Sequence, residues 1–331
     1  MSEIRAVQEL KPAMSPAFSA SSVRSLFADN DIVVVLLIFV AFASLASPIF
    51  LTEGNLKNIL NQASVLGILA CAQFLVVLIG GFDLSVAAIM ALSSVILATL
   101  APASSLMAIL AAIGTGTLLG LLNGLAITFG KVPPMIATLG VMGIARGLAF
   151  VITDKSVSLP RAALAPAKFS IWIFSAPVIV WALLALALAW VLSRTRFGRN
   201  LYAIGGNERS ARLAGVPVRG YKVTVYVLSG VLSGLAGLAL VARTSSGIPH
   251  VGSGWELDSI AAIVIGGVRL FGGEGNILKA MIGVVIYQMI ANIMNLAGLD
   301  PFYQDIVKAA VIVVVVSVSV ARTRRFRKGW S

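Results

Sequence analysis

The chain has 331 residues, 59% hydrophobic and only 11% charged, with a mean hydropathy of +0.99 and a formal net charge of +12. A soluble domain carries about 25% charged residues, so the composition excludes that class and implies an all-α integral membrane protein, its apolar runs being too long for barrel strands. The excess base sits at the ends of apolar runs, which fits orientation in a bilayer and not nucleic-acid binding. The lone Cys71 excludes an internal disulfide, and the lone His250, with no paired cysteines or HExxH string, argues against a protein-built zinc site.

Residues 1–30 are polar with scattered bases and show no small-residue cleavage pattern, so they read as an uncleaved cytoplasmic tail ahead of a signal anchor. Apolar runs of about 17–25 residues suffice to cross a bilayer as helices. On that rule spans are expected near 31–48, 63–80, 84–101, 106–129, 133–153, 175–193, 223–243, 257–270, 277–297 and 304–321. A transmembrane domain is therefore expected over 31–321, closed by a basic cytoplasmic tail at 322–331.

The second and third spans are joined by GGFDLS at 80–85. Gly80 and Gly81 allow a tight turn, and Asp83 or Ser85 can accept hydrogen bonds from the first N–H groups of the next helix. A related string, IGGVRLFGGEGN, occupies 265–276, but the shared I-G-G-x-x-L is too short to prove a repeat. Ala101–Ser105 is the natural turn in the uncharged stretch from Leu84 to Gly130, and Pro133-Pro134 opens the fifth span, where a missing N–H is harmless.

The one long charged island is 194–222, with seven Lys/Arg and a single acid, Glu208. Within it, Asn207–Ala214 reads as a short helix: Asn207 is a candidate N-cap, Glu208 sits at the positive helix end, and Gly215 and Pro217 stop it. Either it docks a cytoplasmic partner or it is a solvated loop helix that only sets topology. The next weak point is 257–270, too short to span about 30 Å at about 1.5 Å per residue. Its Gly/Ser-rich lead-in, SSGIPHVGSGWE, gives either a broken span beside a pathway or a re-entrant segment, and the broken span is preferred because it leaves the basic C-terminus inside.

Ten spans place both termini on one side. Eighteen bases then fall inside and five outside, so both ends are expected in the cytoplasm. Ionisable residues within the apolar runs are few: Arg146, Asp305 and Lys308, with Asp83 at a span edge. Asp305 and Lys308 have the spacing of a helical ion pair, and Arg146 can bridge to backbone or headgroups. This poverty argues against ion-coupled transport. Asn123, Thr138, Asn292 and Asn295 are candidates for lining a path, the alternative being hydrogen bonds between helices. No G-x-x-x-x-G-K-[ST] string is present, so energy from ATP must come from another chain.

Five ordered strings carry a specific resemblance: GGFDLSVAAIMALS (80–93), NGLAITFGKVPPMIATLGVMGIARGLAFVIT (123–153), TRFGRNLYAIGGNERSARLAGVPVRGYK (195–222), ELDSIAAIVIGGVRLFGGEG (256–275) and YQDIVKAAVIV (303–313). Together they cover most of 55–320. The chain resembles the permease subunits of bacterial ABC importers of the ribose, xylose, arabinose and galactose class. One departure is mild: Ala87 stands where family members often carry glycine.

The resemblance implies a fold similar to the vitamin B12 permease (type II), in the bacterial inner membrane, working as a dimer, usually of identical chains. It implies an ATPase subunit with two nucleotide-binding domains, which alone would use ATP and Mg, and a periplasmic sugar-binding protein. It implies no catalysis and no cofactor in this chain. On this reading 194–222 holds the coupling helix, with Asn207, Glu208, Arg209, Ala211, Arg212, Leu213 and Gly215 as its residues. The rival readings are a secondary, ion-coupled sugar transporter and a passive channel or scaffold.

Overall fold

The computed structural model describes residues 31–159 and 169–328. The expected N-terminal tail (1–30), part of the expected outer loop (160–168) and the last three residues lie outside the described residues. The chain is helical almost throughout: α1 Asp31–Ala46, α2 Glu53–Leu78, α3 Val86–Leu100, α4 Ser105–Thr128, α5 Pro134–Ile152, α6 Ala176–Arg194, α7 Arg196–Gly206, α8 Glu208–Leu213, α9 Val218–Thr244, α10 Trp255–Ile265, α11 Ile277–Leu296 and α12 Pro301–Lys328. Each of the ten apolar runs falls on a helix, and among the described residues six of these helices (α2, α4, α5, α6, α9 and α11) are long and apolar enough to cross a membrane. Helix α2 begins ten residues before the expected 63. Helix α12 runs to Lys328, through most of the expected tail. Both extensions lie in polar residues at helix ends, which lower the mean hydropathy of a run but do not by themselves stop a helix.

Local signals set the boundaries. Ser104 caps α4, its hydroxyl accepting from the Met107 N–H at 3.3 Å, and Pro134 is the first residue of α5. In lipid, apolar burial does not drive helices together, so close fit and polar contacts do. The arrangement shows both. Helix α2 is the axis, with 83% of its central window buried, against 22% for α5. Gly67 on α2 makes room for the Trp181 indole of α6, whose Nε1 donates to Met281 Sδ of α11 at 3.0 Å. On α4, Gly116 and Gly120 face Gly230 of α9, and a Cβ on Gly116 or Gly230 would overlap the other's carbonyl oxygen. This is small-residue packing of two backbones.

Two short antiparallel ladders lie outside the helices. Strand β1 (Val157–Ser158) pairs with β4 (Ser246–Gly247), and β2 (Ser170–Ile171) pairs with β3 (Phe174–Ser175). After β4 the chain runs back along α3: the Ile248 N–H donates to Ser94 Oγ at 3.3 Å, and the Gly252 backbone lies beside Met90 and Ala87. Seven residues of α3 correspond to about 10 Å, and the eleven residues of α10 that follow add about 16 Å. The segment is therefore an extended half followed by a short helix, together about as long as most of one crossing.

Candidate functional site

One end of the bundle carries the charged island. Thr195 caps α7, accepting from the Gly198 N–H at 3.3 Å, and Leu201 and Ile204 are buried beneath it. The ring of Phe197 stacks on Tyr221 with centroids 5.5 Å apart, and Tyr221 accepts a hydrogen bond from Asn200 at 2.7 Å. Helix α8 then stands on a rigid base. Asn207 Oδ1 accepts from the Ser210 N–H at 3.0 Å, Ala211 is the buried contact, and Gly215 closes the helix at φ +83°. Glu208 is held from two sides, by Arg212 Nη2 at 2.8 Å and Lys222 Nζ at 2.7 Å. Partial burial alone would raise the Glu208 carboxyl, but the hydrogen bonds and charges of Lys222 and Arg212 outweigh it and hold the group below its ordinary range. Arg209 is exposed, and Leu213 is 83% exposed on the same short helix. Beside it lies a groove of about 350 Å³ lined by Arg212, Val216 and Arg219 among others. An exposed leucine on a helix that also carries the exposed Arg209 and Arg212 is a surface suited to a partner with an apolar pocket and an acidic rim.

Behind this helix three loops meet. The Gly273 N–H donates to the Leu78 carbonyl at 2.9 Å. A Cβ at Gly205 would overlap both groups, and Gly272 lies against Gly80. The end of α7, the end of α2 and the α10–α11 loop therefore touch backbone to backbone. The two I-G-G-x-x-L strings are neighbours here.

The polar side chains of the GGFDLS turn, Asp83 and Ser85, are fully buried. Asp83 Oδ1 accepts from the Ser85 N–H (2.9 Å) and Ser85 Oγ (2.6 Å), and its Oδ2 accepts from Ser229 Oγ of α9 (2.7 Å). Ser85 Oγ accepts in turn from Asn123 Nδ2 at 2.9 Å. Asp83 thus takes one N–H near the start of α3, while the Ser85 side chain makes no cap: its backbone is helical rather than extended, and its oxygen accepts from Asn123 instead. Gly81 leaves room for the hydroxyl of Tyr226. Arg146 bridges to backbone: its Nη1 donates to the carbonyls of Pro249 and Val251, both at 2.8 Å, fastening the extended stretch after β4 to α5.

The path candidates separate. Asn292 exchanges amide hydrogen bonds with Asn55 at 3.1 and 2.8 Å, Thr138 Oγ1 donates to its own helix at Pro134, and Asn123 is committed to Ser85. These contacts are the hydrogen bonds between and within helices that the alternative reading expects, although the buried Asn123 Oδ1 has no partner among the described residues. Asn295 lines a cavity. That cavity, of about 120 Å³, lies among α2, α9, α10, α11 and α12. Tyr287 donates to Asp258 Oδ1 at 2.6 Å, Gln288 Nε2 to Gln62 Oε1 at 2.7 Å, and Gln304 Nε2 to Asn295 Oδ1 at 2.9 Å. Trp255, Arg243 and Lys308 complete the polar wall, Lys308 being paired with Asp305 at 3.2 Å as their spacing implies. The reading of intramembrane charges missed Asp258, although a carboxylate inside 257–270 was a visible signal.

Comparison with known proteins adds the family. Residues 55–316 match the family model described as branched-chain amino acid transport system / permease component. The chain belongs to this permease family. The chain is 40% identical over 294 residues to the ribose import permease protein RbsC of Escherichia coli K12, covering 86% of this chain and 91% of that one. It is 42% identical over 292 residues to the RbsC of Bacillus subtilis, covering 85% and 89%. With the L-arabinose ABC transporter permease protein AraH of Azospirillum brasilense it shares 34% over 315 residues, covering 92% and 91%. No solved structure matches the permease.

Proposed function

We infer that this permease is the translocation subunit of an ATP-driven ABC importer for a monosaccharide of the pentose, hexose or deoxyhexose class. The carrying observation is α8: a capped helix with an exposed leucine, on the largest basic loop, in a chain akin to ribose and L-arabinose permeases. On this reading α8 couples to a cytoplasmic ATPase with two nucleotide-binding domains, and the opposite end receives sugar from a periplasmic binding protein. ATP and Mg are used by the ATPase. The chain crosses the bacterial inner membrane ten times in a vitamin B12 permease-like fold, with both ends in the cytoplasm, and works as a homodimer. The charge bias and the broken span at 246–265 support that arrangement.

The test is uptake of labelled D-ribose, L-arabinose and D-allose into proteoliposomes holding this chain with a candidate ATPase and binding protein. Accumulation that needs ATP and all three proteins is expected. Accumulation driven by a proton or sodium gradient without ATP would overturn the reading in favour of a secondary transporter.

A further inference from the structure

The β2–β3 hairpin ahead of α6 exposes more apolar surface than a turn in water would keep. Its sequence over 169–175, FSIWIFS, carries no charge. Phe169, Ile171, Trp172 and Phe174 are 57%, 59%, 68% and 41% exposed. The other side of the hairpin is fixed: Ile173 is buried, β3 packs against α2 and α6, and the Ser175 hydroxyl donates to Asn61 Oδ1 of α2. Trp172 takes the first turn position with φ +53°. Hairpins usually fill that left-handed position with glycine or asparagine, and a bulky residue adopts it only under strain. The strain holds an indole outward, edge-on to the Phe174 ring with 6.5 Å between centroids. A bulky side chain kept in such a conformation points to a use for it.

Two observations say what meets these side chains. The apolar face continues onto α6, where Val180, Leu183, Leu186 and Trp190 are exposed at helical spacing. The hairpin therefore prolongs the outward stripe of a helix long and apolar enough to cross a membrane. The lengths also fit. Ser175 to Trp190 rises about 22 Å, and the hairpin adds up to about 10 Å. Trp172 and Trp190 are thus separated by up to about 30 Å, the thickness of the hydrocarbon core, and tryptophan is enriched at both of its edges. A face made for a soluble protein would add a polar rim; here the Ser175 hydroxyl is turned inward to α2 and no charged side chain is present.

We propose that the 169–175 hairpin is an interfacial anchor, seated in the headgroup region of the bilayer with its Trp172 and Phe174 rings at the edge of the acyl chains. With Trp190 at the other interface it sets the depth of α6. Depth matters because α6 carries Trp181, whose indole fills the notch at Gly67 of α2. The proposal rests on α6 being a membrane span and not on the solute carried.

The test uses the full chain in phosphatidylcholine–phosphatidylglycerol nanodiscs. The tryptophan emission of the native chain minus that of Trp172→Phe is the signal of Trp172. The quenchers are phosphatidylcholine brominated near the headgroup, phosphatidylcholine brominated near the chain ends, and aqueous iodide. The shallow bromolipid should quench this signal about two-fold or more beyond either of the others, as expected for an indole at headgroup level. As a second readout, a nitroxide on Phe174→Cys in a Cys71→Ser background should meet dissolved oxygen more readily than a water-soluble nickel chelate, with the reverse at Ser210→Cys. Iodide quenching without bromolipid quenching would place the hairpin in water and overturn the proposal. Protection from all three quenchers would mean that protein covers it, a second copy of this chain if the protection is present in the permease alone and a secreted binding protein if it appears only on adding one; either result overturns the lipid assignment. Quenching needs no transport, so failure of sugar uptake leaves the outcome unaffected.

Discussion

Gly205→Ala is the sharpest test of how α8 is connected to the membrane helices. A Cβ at this position would overlap the Leu78 carbonyl oxygen and the Gly273 amide nitrogen, which are hydrogen-bonded to each other at 2.9 Å. Both are backbone atoms, so no side chain can swing aside. Overpacking of this kind costs about 1–3 kcal/mol, and losing the hydrogen bond adds about 1 kcal/mol. Alanine is favoured over glycine in a helix by about 1 kcal/mol. The net expectation is a loss of about 1–3 kcal/mol, a change of about 5- to 150-fold in the local opening equilibrium. Gly206→Ala is the control, since a Cβ there meets nothing within 4 Å; it should be neutral or slightly stabilising. The assay is built into the chain. Cys71 is fully buried in α2 and is the sole cysteine, so a fluorogenic maleimide reports opening of the α2 region on heating. Gly205→Ala should react at lower temperature than Gly206→Ala and import less sugar at equal abundance. Equal reactivity and equal uptake for the two variants would refute the argument that these loops move as one body.

Leu213→Asp and Glu208→Lys should each abolish uptake while the chain stays inserted and abundant, the first by removing the exposed apolar contact and the second by placing like charges beside Arg212 and Lys222; normal transport with normal ATPase copurification would refute this. Because the Glu208 carboxyl is depressed in the folded chain, the stability it contributes is present above its unfolded value and lost as pH falls through the folded one. ATPase copurification should therefore be flat from about pH 5 to 8 and weaken only below about pH 4; a midpoint near neutrality would point to another group. Impermeant thiol reagents should reach Ser210→Cys only from the cytoplasmic side, and in a chain with both ends inside also Ser331→Cys, with Ala163→Cys labelled from outside, the last two positions lying outside the described residues.

Much of α8 was legible in the sequence because its chemistry is local. Asn207 and Gly215 act on backbone within a few residues, so a cap and a stop can be read from spacing alone, whereas the Lys222 partner of Glu208 lies 14 residues away and cannot. The Asp305–Lys308 pair was legible from local spacing as well. The cavity was not. Its wall draws on α2, α9, α10, α11 and α12, and no periodicity links Gln62 to Gln288 or Asp258 to Tyr287. The same blindness hides the partner of Asn292: Asn55 is 237 residues away. Asp83 looked like an edge residue because the turn that carries it is polar. Only the tertiary placement of Ser229 shows that the turn is folded into the interior.

Arg146 decides whether the extended half of the broken span is fixed or free. Its two hydrogen bonds reach the carbonyls of Pro249 and Val251, on a segment with few ladder bonds of its own beyond the two-residue β1–β4 pairing. Hydrogen bonds to a charged donor contribute about 1.5–3 kcal/mol each. Arg146→Ala should therefore release the segment by at least about 2 kcal/mol, or about 30-fold in its opening equilibrium. Single cysteines at Ser246, Val251 and Ser253 would show it, with Val251→Cys gaining most because its carbonyl neighbourhood loses a direct partner. In the intact transporter the same three sites should change reactivity between nucleotide-free and ATP-trapped states if the segment borders the path, since alternating access moves the water-filled cavity from one face to the other. Uniform high reactivity in every state, with no further gain on Arg146→Ala, would mean that the segment sits in water and that the arginine clamps nothing. A gain on Arg146→Ala without any nucleotide dependence would make the clamp structural and leave gating to the junction at Gly205.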